Sequence, residues 1–247
     1  MSESEIYPIL LLALLPAMGN LAGALVAEFR PISARTLSLA LHLAAGMLIA
    51  IVGVKLVPLA LTVDPAWAIV LALFAGGAFF MMIGRGMDRI QARYGRQDSS
   101  SAWVIFLGVS VDLFADGLMI GTGAMVDLSL GLLLALGQVC GDLPEGFASI
   151  ATFKDHGISR RIRLALALAF FVPVLTGAGL GYLIVRNQPE LLKMLLLAFT
   201  AGILLTVTVE ELVPEAHKDV EPRLSALAFV GGFSLFTLIS VYFQFPG

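Results

Sequence analysis

Charge is scarce in this sequence: only 13% of its 247 residues are Asp, Glu, Lys or Arg, while 59% are hydrophobic. Soluble domains carry roughly 25% charged residues, so a water-facing surface of ordinary composition is excluded. Cysteine occurs once, as Cys140 inside an apolar run. An intrachain disulfide is therefore excluded, and small-residue packing is its expected role. Period-two alternation of polar and apolar residues is missing, which excludes a membrane β-barrel. No basic residue precedes the first apolar run, only Glu3 and Glu5. That run lacks the positive flank of a secretory signal and is read as a span.

What the sequence does have is apolar runs of about 20 residues or more, the length at which a helix crosses about 30 Å of hydrocarbon. Lipid cannot satisfy backbone polar groups, so such runs must be helices. The expected fold is all-α: a polytopic membrane protein with eight spans near Ile6–Phe29, Thr36–Leu61, Ala66–Gly86, Ala102–Val126, Leu128–Phe153, Ile162–Val185, Leu191–Val213 and Leu224–Phe245. The longest polar linker, Met87 to Ser101, is too short for a second domain, so one transmembrane domain covers residues 1–247. Of the 15 Lys and Arg residues, 12 fall on connections after odd-numbered spans, and only Lys55, Arg186 and Lys193 fall at the other end. Basic residues flanking spans stay cytoplasmic, which puts the linker inside and both termini outside.

The chain also contains an internal repeat. The stretch from Ala45-Gly46-Met47-Leu48 to Lys55-Leu56-Val57-Pro58 aligns without a gap on Ala201-Gly202-Ile203-Leu204 to Glu211-Leu212-Val213-Pro214, and extended to Ala60 and Ala216 it has 7 identities in 16 positions. Span two runs outward and span seven inward. Spans one to three and six to eight are thus expected to form an inverted repeat around spans four and five, as in many transporters.

Four acids interrupt the two central spans. Asp112 and Asp116 stand four apart in Val111-Asp112-Leu113-Phe114-Ala115-Asp116-Gly117, and Asp142 and Glu145 three apart in Gly141-Asp142-Leu143-Pro144-Glu145-Gly146. Each spacing puts its pair on one helix face. An ionisable group at mid-membrane costs roughly 2.5–3.5 kcal/mol and marks an ion path or a partner. No Lys or Arg lies in either span, so a bound divalent cation is the simplest partner; protonated acids hydrogen-bonded to neighbours, or paired with Lys55, are the alternative. Pro144 frees the carbonyl of Cys140 beside them.

These two motifs, together with Glu211-Leu212-Val213-Pro214-Glu215-Ala216-His217 at the end of span seven, resemble the Zrt/Irt-like (ZIP) metal transporters over nearly the whole chain. The resemblance implies transport of a divalent metal ion toward the cytosol, with no enzymatic activity and no cofactor, the metal being cargo. It implies a homodimer in a plasma or bacterial inner membrane; nucleic acid is not expected as a partner. On the family's pattern its histidine falls on Asp112, its asparagine on Leu113, its proline on Ala115 and its acid on Asp116. In span five the first ligand position falls on Gly141 and the acids on Asp142 and Glu145; in span six the acid before Pro173 is replaced by Val172. One metal site rather than two is therefore expected. Zinc is first by resemblance. The oxygen-rich donor set also suits Mn²⁺, Fe²⁺ or Co²⁺.

The same resemblance singles out Met47 and Glu211, and position in the spans adds the others. Met47 is a candidate thioether ligand, and Glu211 is the candidate acceptor of the ion on its way in, with Glu210, Glu215 and His217 near it and His42 a candidate helper of release. Gln138, Ser110 and Ser149 are candidate supporting groups. Protonation balancing the surplus negative charge makes proton-linked transport an expectation. Two rival readings stay open: a proton-driven carrier of a small organic solute, and an intramembrane aspartyl protease. The latter requires Gly-x-Gly-Asp at the second aspartate, where this chain has Val139 three residues before Asp142.

Overall fold

In a computed structural model of the chain, residues 6–30, 33–94, 98–218 and 223–242 are described. Glu3, Glu5, Arg96 and the expected end of span eight at Phe245 lie outside them. The described residues form eight long helices: α1 (Ile6–Phe29), α2 (Ala34–Ala60), α3 (Ala66–Tyr94), α4 (Asp98–Val126), α5 (Leu128–Asp155), α6 (Arg160–Val185), α7 (Glu190–His217) and α8 (Ser225–Tyr242). Seven of them are long and apolar enough to cross a membrane; α5 falls short only because Gln138, Asp142 and Glu145 interrupt it. Its polar residues face inward, since α5 packs against α1, α2 and α4. The chain is a multi-pass membrane protein.

Two boundaries differ from expectation. The segment expected as a polar linker at 87–101 is helical on both sides, α3 reaching Tyr94 and α4 starting at Asp98, because polar residues do not stop a helix that continues past the apolar zone. The sixth span is not continuous: Phe170 separates Arg160–Ala169 from Phe171–Val185. Pro173 has no N–H for the carbonyl of Ala169 and its ring crowds that carbonyl, which breaks the turn. The tightest connection is a single residue. Asp127, extended at φ −156° and ψ 133°, caps α5 by accepting from the N–H of Ser129 at 2.7 Å and of Leu130 at 3.3 Å. These bonds hold its carboxyl below the usual carboxylate range, the Ser129 hydroxyl contributing most and its burial opposing them. Gly157, at φ +68°, ends α5 in a left-handed turn that suits glycine.

The repeat read in the sequence recurs in the packing. Helices α2 and α7 each contain one widened, π-helical turn, Ile51–Leu56 and Thr208–Leu212, and each is followed by a proline, Pro58 or Pro214, that withdraws a backbone donor. A Cβ on Gly46 would come within 1.9 Å of Phe229 O, and one on Gly202 within 1.9 Å of Leu73 O. The sequence shift that carries Gly46 onto Gly202 also carries Leu73 onto Phe229, Leu43 onto Phe199 and Gly76 onto Gly232. In turn, Gly76 crosses at Phe199 O and Gly232 at Leu43 O. Exchanging α1–α3 with α6–α8 and α4 with α5 thus maps the α2–α8 crossing onto the α7–α3 crossing. The same exchange maps α1–α5 onto α6–α4, where Gly23 meets Leu143 O and Gly177 meets Phe114 O.

These backbone-tight crossings divide the helices into two bodies, α1, α4, α5 and α6 in one and α2, α3, α7 and α8 in the other. The side-chain links between helices fall on the same lines. Glu28, half-buried at the end of α1, forks onto Arg163, accepting from Nη2 at 2.7 Å and Nε at 2.9 Å, with Arg160 at 3.4 Å and Lys154 at 4.0 Å. In the other body Ser38 Oγ donates to Ala216 O at 2.6 Å, and Phe79 meets Phe199 at 5.5 Å between ring centroids. Between the bodies, glycines meet flexible side chains instead: Gly137 faces Ile51 and Phe236, and Gly141 faces Leu48.

Candidate metal pathway

Helices α4 and α5 bring the four acids together at their middle. Gly117, Gly121 and Gly146 let their neighbours approach to backbone contact, so a side chain beside them is shut away from lipid. Asp112, Asp116 and Asp142 are buried, and Glu145 is half-buried on a cavity wall. Asp112 interacts electrostatically with Glu145, Asp116 and Glu211, and Glu145 with Asp116 and Glu211. Asp116 and Asp142 also act electrostatically on each other, and Asp142 feels Asp112 and Glu145 as well. Gln138 Nε2 donates to Asp116 Oδ1, while Asp142 Oδ2 has no hydrogen-bond partner among the described residues. The charges acting on these acids are all acidic; the ion pairs of Lys154, Arg160, Arg163 and Lys218 go to Glu28 and Glu215 instead. Lys55 is not among the groups acting on them. Among the described residues no group of three or more His, Cys, Asp or Glu side chains is arranged as a metal cage.

A cavity of about 480 Å³ leads from Glu145 to one end of the bundle, with Glu210, Glu211, Glu215, Lys218 and Thr152 on its walls. Glu211 is exposed in the π-helical turn of α7, within electrostatic reach of both Asp112 and Glu145. The widened turn therefore presents an acid between the buried cluster and the mouth. At the opposite end a second cavity of about 540 Å³ is lined by Lys55, Pro58, Asp127 and Leu133, among others. Its walls are the repeat counterparts of the first: Lys55 stands where Glu211 does and Pro58 where Pro214 does. No lining residue of this second cavity belongs to the acid cluster.

The remaining candidates separate cleanly. Met47 is buried in the main apolar core, an environment that packing alone explains. Val172 is 62% exposed and turned away from the acids. Ser149 Oγ donates to Glu145 O at 2.9 Å within its own helix, whereas Ser110 Oγ is buried without a partner among the described residues. Cys140 makes a long contact to Leu136 O at 3.9 Å. His42 and His217 meet through their Nε2 atoms at 3.4 Å. Sequence reasoning did not single out Asn20, fully buried in α1 opposite Gly146, with neither side-chain amide atom hydrogen-bonded among the described residues. The signal for it was a lone amide between Gly19 and Gly23 in an otherwise apolar span. Glu28 was missed as well, because its three cations come from α5 and α6.

Comparison with known proteins points one way. The family model described as ZIP zinc transporter matches residues 88–240. Human zinc transporter ZIP4 is 30% identical over 146 residues, which cover 57% of this chain and 22% of that protein. Zinc transporter ZIP6 of Pongo abelii is 27% identical over 170 residues, covering 61% and 22%. The zinc transporter foi of Drosophila melanogaster is 25% identical over 148 residues, covering 58% and 21%. The chain thus spans about a fifth of the length of these curated relatives.

Proposed function

This chain belongs to the ZIP zinc transporter family, and from that premise we propose that it moves a divalent metal ion across a membrane toward the cytosol through the acids of α4 and α5. The ion is zinc by kinship, and the oxygen-rich donors also suit Mn²⁺, Fe²⁺ or Co²⁺. The observation that carries the reading is the set of five acids, Asp112, Asp116, Asp142, Glu145 and Glu211, that act electrostatically on one another with no cation among them and include two, Glu145 and Glu211, on the wall of a cavity. Buried like charges of this number are tolerable when cations join them. Asp112, Asp116, Asp142 and Glu145 hold one ion, Met47 adds a thioether at most, and Glu211 receives the ion on its way in to the cytosol.

The cavity from Glu145 opens at the end that carries Lys154, Arg160 and Lys218, the basic end of the chain, which supports an inward-facing arrangement with both termini outside. A plasma or bacterial inner membrane and a homodimer complete the reading. Access alternates as the two bodies move past each other, the inverted repeat providing the mirror-related outward arrangement. The surplus of acidic groups over a single divalent ion supports proton-linked transport: protons balance the charge when the ion is absent and leave when it binds. Uptake that is insensitive to external pH across the carboxylate range overturns that coupling.

The test is uptake by protein reconstituted in liposomes, with Zn²⁺, Mn²⁺, Fe²⁺ and Co²⁺ in competition. Saturable uptake is expected, and Asp142→Asn or Glu145→Gln abolishes it while leaving assembly intact. Wild-type uptake in both variants removes the site. An organic-solute carrier would show no competition among metals, and a protease would show no uptake.

A further inference from the structure

We infer that Asn20 is a positioning residue of the metal site: its amide holds Oδ2 of Asp142 from the α1 side and leaves Oδ1 for the ion. The inference rests on the carboxylate site proposed above. Asn20 is fully buried, yet neither Nδ2 nor Oδ1 has a hydrogen-bond partner among the described residues. Asp142 Oδ2 is buried in the same condition. Polar groups left unpaired away from water are costly, so a stranded donor and a stranded acceptor call for a partner. An amide nitrogen only donates and an ionised carboxylate only accepts, which makes these two complementary.

The helix crossing sets them side by side. Gly19 meets the backbone of Val139 and Gly23 that of Leu143, so α1 and α5 run in the same direction here. The α1 turn from Gly19 to Gly23 thus lies against the α5 turn that contains Asp142. Asn20 is at the contact itself, since a Cβ on Gly146 would lie 2.9 Å from its Cα. Asp142 and Gly146 stand four apart on α5, about 6 Å along the axis, and share a face. A helical side chain tilts toward the N-terminus of its own helix, which for Asn20 is the direction from Gly146 to Asp142. Both side chains end on broad, roughly two-fold torsions, so rotation of the end groups brings Nδ2 to Oδ2 without movement of the helices.

The supply of donors to the buried aspartates is uneven without Asn20 and even with it. Gln138 Nε2 donates to Asp116 Oδ1, whereas Asp142 Oδ2 has no such donor. On the other side of the same body, the carbonyl of Val174 crosses at Gly117 as that of Asn20 crosses at Gly146, and the valine side chain has nothing to donate. The amide therefore stands at the crossing beside the acid that lacks one. A carboxylate held at Oδ2 presents Oδ1 alone, at a fixed angle, instead of swinging between one- and two-oxygen coordination. Partners of this kind orient metal ligands, and losing one typically costs about 10–100-fold in affinity.

The experiment titrates purified protein in detergent with Zn²⁺ alone and Mn²⁺ alone. Asn20→Val removes the amide and keeps a side chain of similar bulk; it is expected to weaken binding at least about tenfold. Its thermal unfolding without metal should come no lower than in wild type, because a buried unpaired amide has gone. The chain has two asparagines, Asn20 and Asn187, so ¹⁵N-labelled asparagine gives two side-chain amide signals, and the one that remains in Asn187→Gly is that of Asn20. That signal should shift when Zn²⁺ is added, which packing alone would not produce. Should Asn20→Val fail to fold, the amide spectrum still decides. Binding by Asn20→Val within about twofold of wild type, or an Asn20 signal unmoved by Zn²⁺, overturns the role. Loss of binding in Asp142→Asn with none in Asn20→Val removes this role alone, whereas Asp142→Asn that binds like wild type removes the carboxylate site and this role with it.

Discussion

Lys55 and Glu211 hold the same place in the two copies of the repeat, each in a π-helical turn and each on the wall of a cavity, and they carry opposite charge. The two ends of the pathway are therefore built alike and charged unlike. A fixed cation in a low-dielectric mouth lowers the local concentration of divalent cations, and a fixed anion raises it. Lys55→Ala is expected to raise the initial rate of metal uptake from the Lys55 side by up to about tenfold at low salt, and Glu211→Gln to lower uptake by a similar factor. The Lys55 effect should fade as ionic strength rises, since exposed charges are screened within about 10 Å at 0.1 M. Liposome uptake at two salt concentrations checks both.

The glycine crossings make a sharper structural prediction. A Cβ on Gly46 or Gly202 meets a backbone oxygen at 1.9 Å, so Gly46→Ala and Gly202→Ala must push α2 from α8 or α7 from α3. Each should cost about 1–3 kcal/mol, the range of overpacked cores. Gly179→Ala, with nothing within 4 Å, is expected to be neutral. Thermal unfolding of the three variants in detergent distinguishes them.

Glu28 offers a test of a partly buried ion network. Its side chain is 5% exposed, and of its three cations only Arg163 is mostly buried while Lys154 and Arg160 are 35% and 57% exposed, so Glu28→Gln chiefly deprives Arg163 of its partner. The loss should be about 1 kcal/mol, since solvent screens Arg160 and Lys154, and Arg163→Gln should lose most of it. Equal stability of Glu28→Gln and wild type in denaturant titration would contradict the network.

Asp127 gives the expected pH dependence of the α4–α5 connection. Its folded carboxyl is held below the usual range by Ser129, so its contribution is present above that range and is lost as pH falls through the depressed folded value. Asp127→Ala should cost about 1 kcal/mol at neutral pH, the usual worth of an N-cap. The difference from wild type should shrink on acidification, and a difference that grows would contradict the assignment.

How much of this was legible in the sequence depended on range along the chain. Helix count, most helix limits and the repeat were legible because each rests on local composition or on a gapless match, whereas the widened turns of α2 and α7 before Pro58 and Pro214 were not. The acid pairs were legible because three- and four-residue spacings fix a face. The continuation of α3 to Tyr94 was not, since hydropathy records where the apolar zone stops and not where the helix does. The break at Phe170 needed Pro173 to be weighed against an otherwise uniform apolar run. Gln138 donating to Asp116, the three cations on Glu28, and the meeting of His42 with His217 depend on which helices are neighbours, and an apolar span does not state its neighbours.

The distribution of close crossings has a mechanical consequence. Where a glycine lets backbone touch backbone, sliding one helix along the other drives carbonyls into α-carbons, and the joint is stiff. Along the plane that separates α1, α4, α5 and α6 from the rest, Gly137 and Gly141 meet the methyl ends of Ile51 and Leu48, which can swing aside. Stiff joints within and compliant ones between make that plane the direction of easy shear, so Asp112, Asp116, Asp142 and Glu145 would ride as fixed cargo of a rigid block rather than reorient one by one.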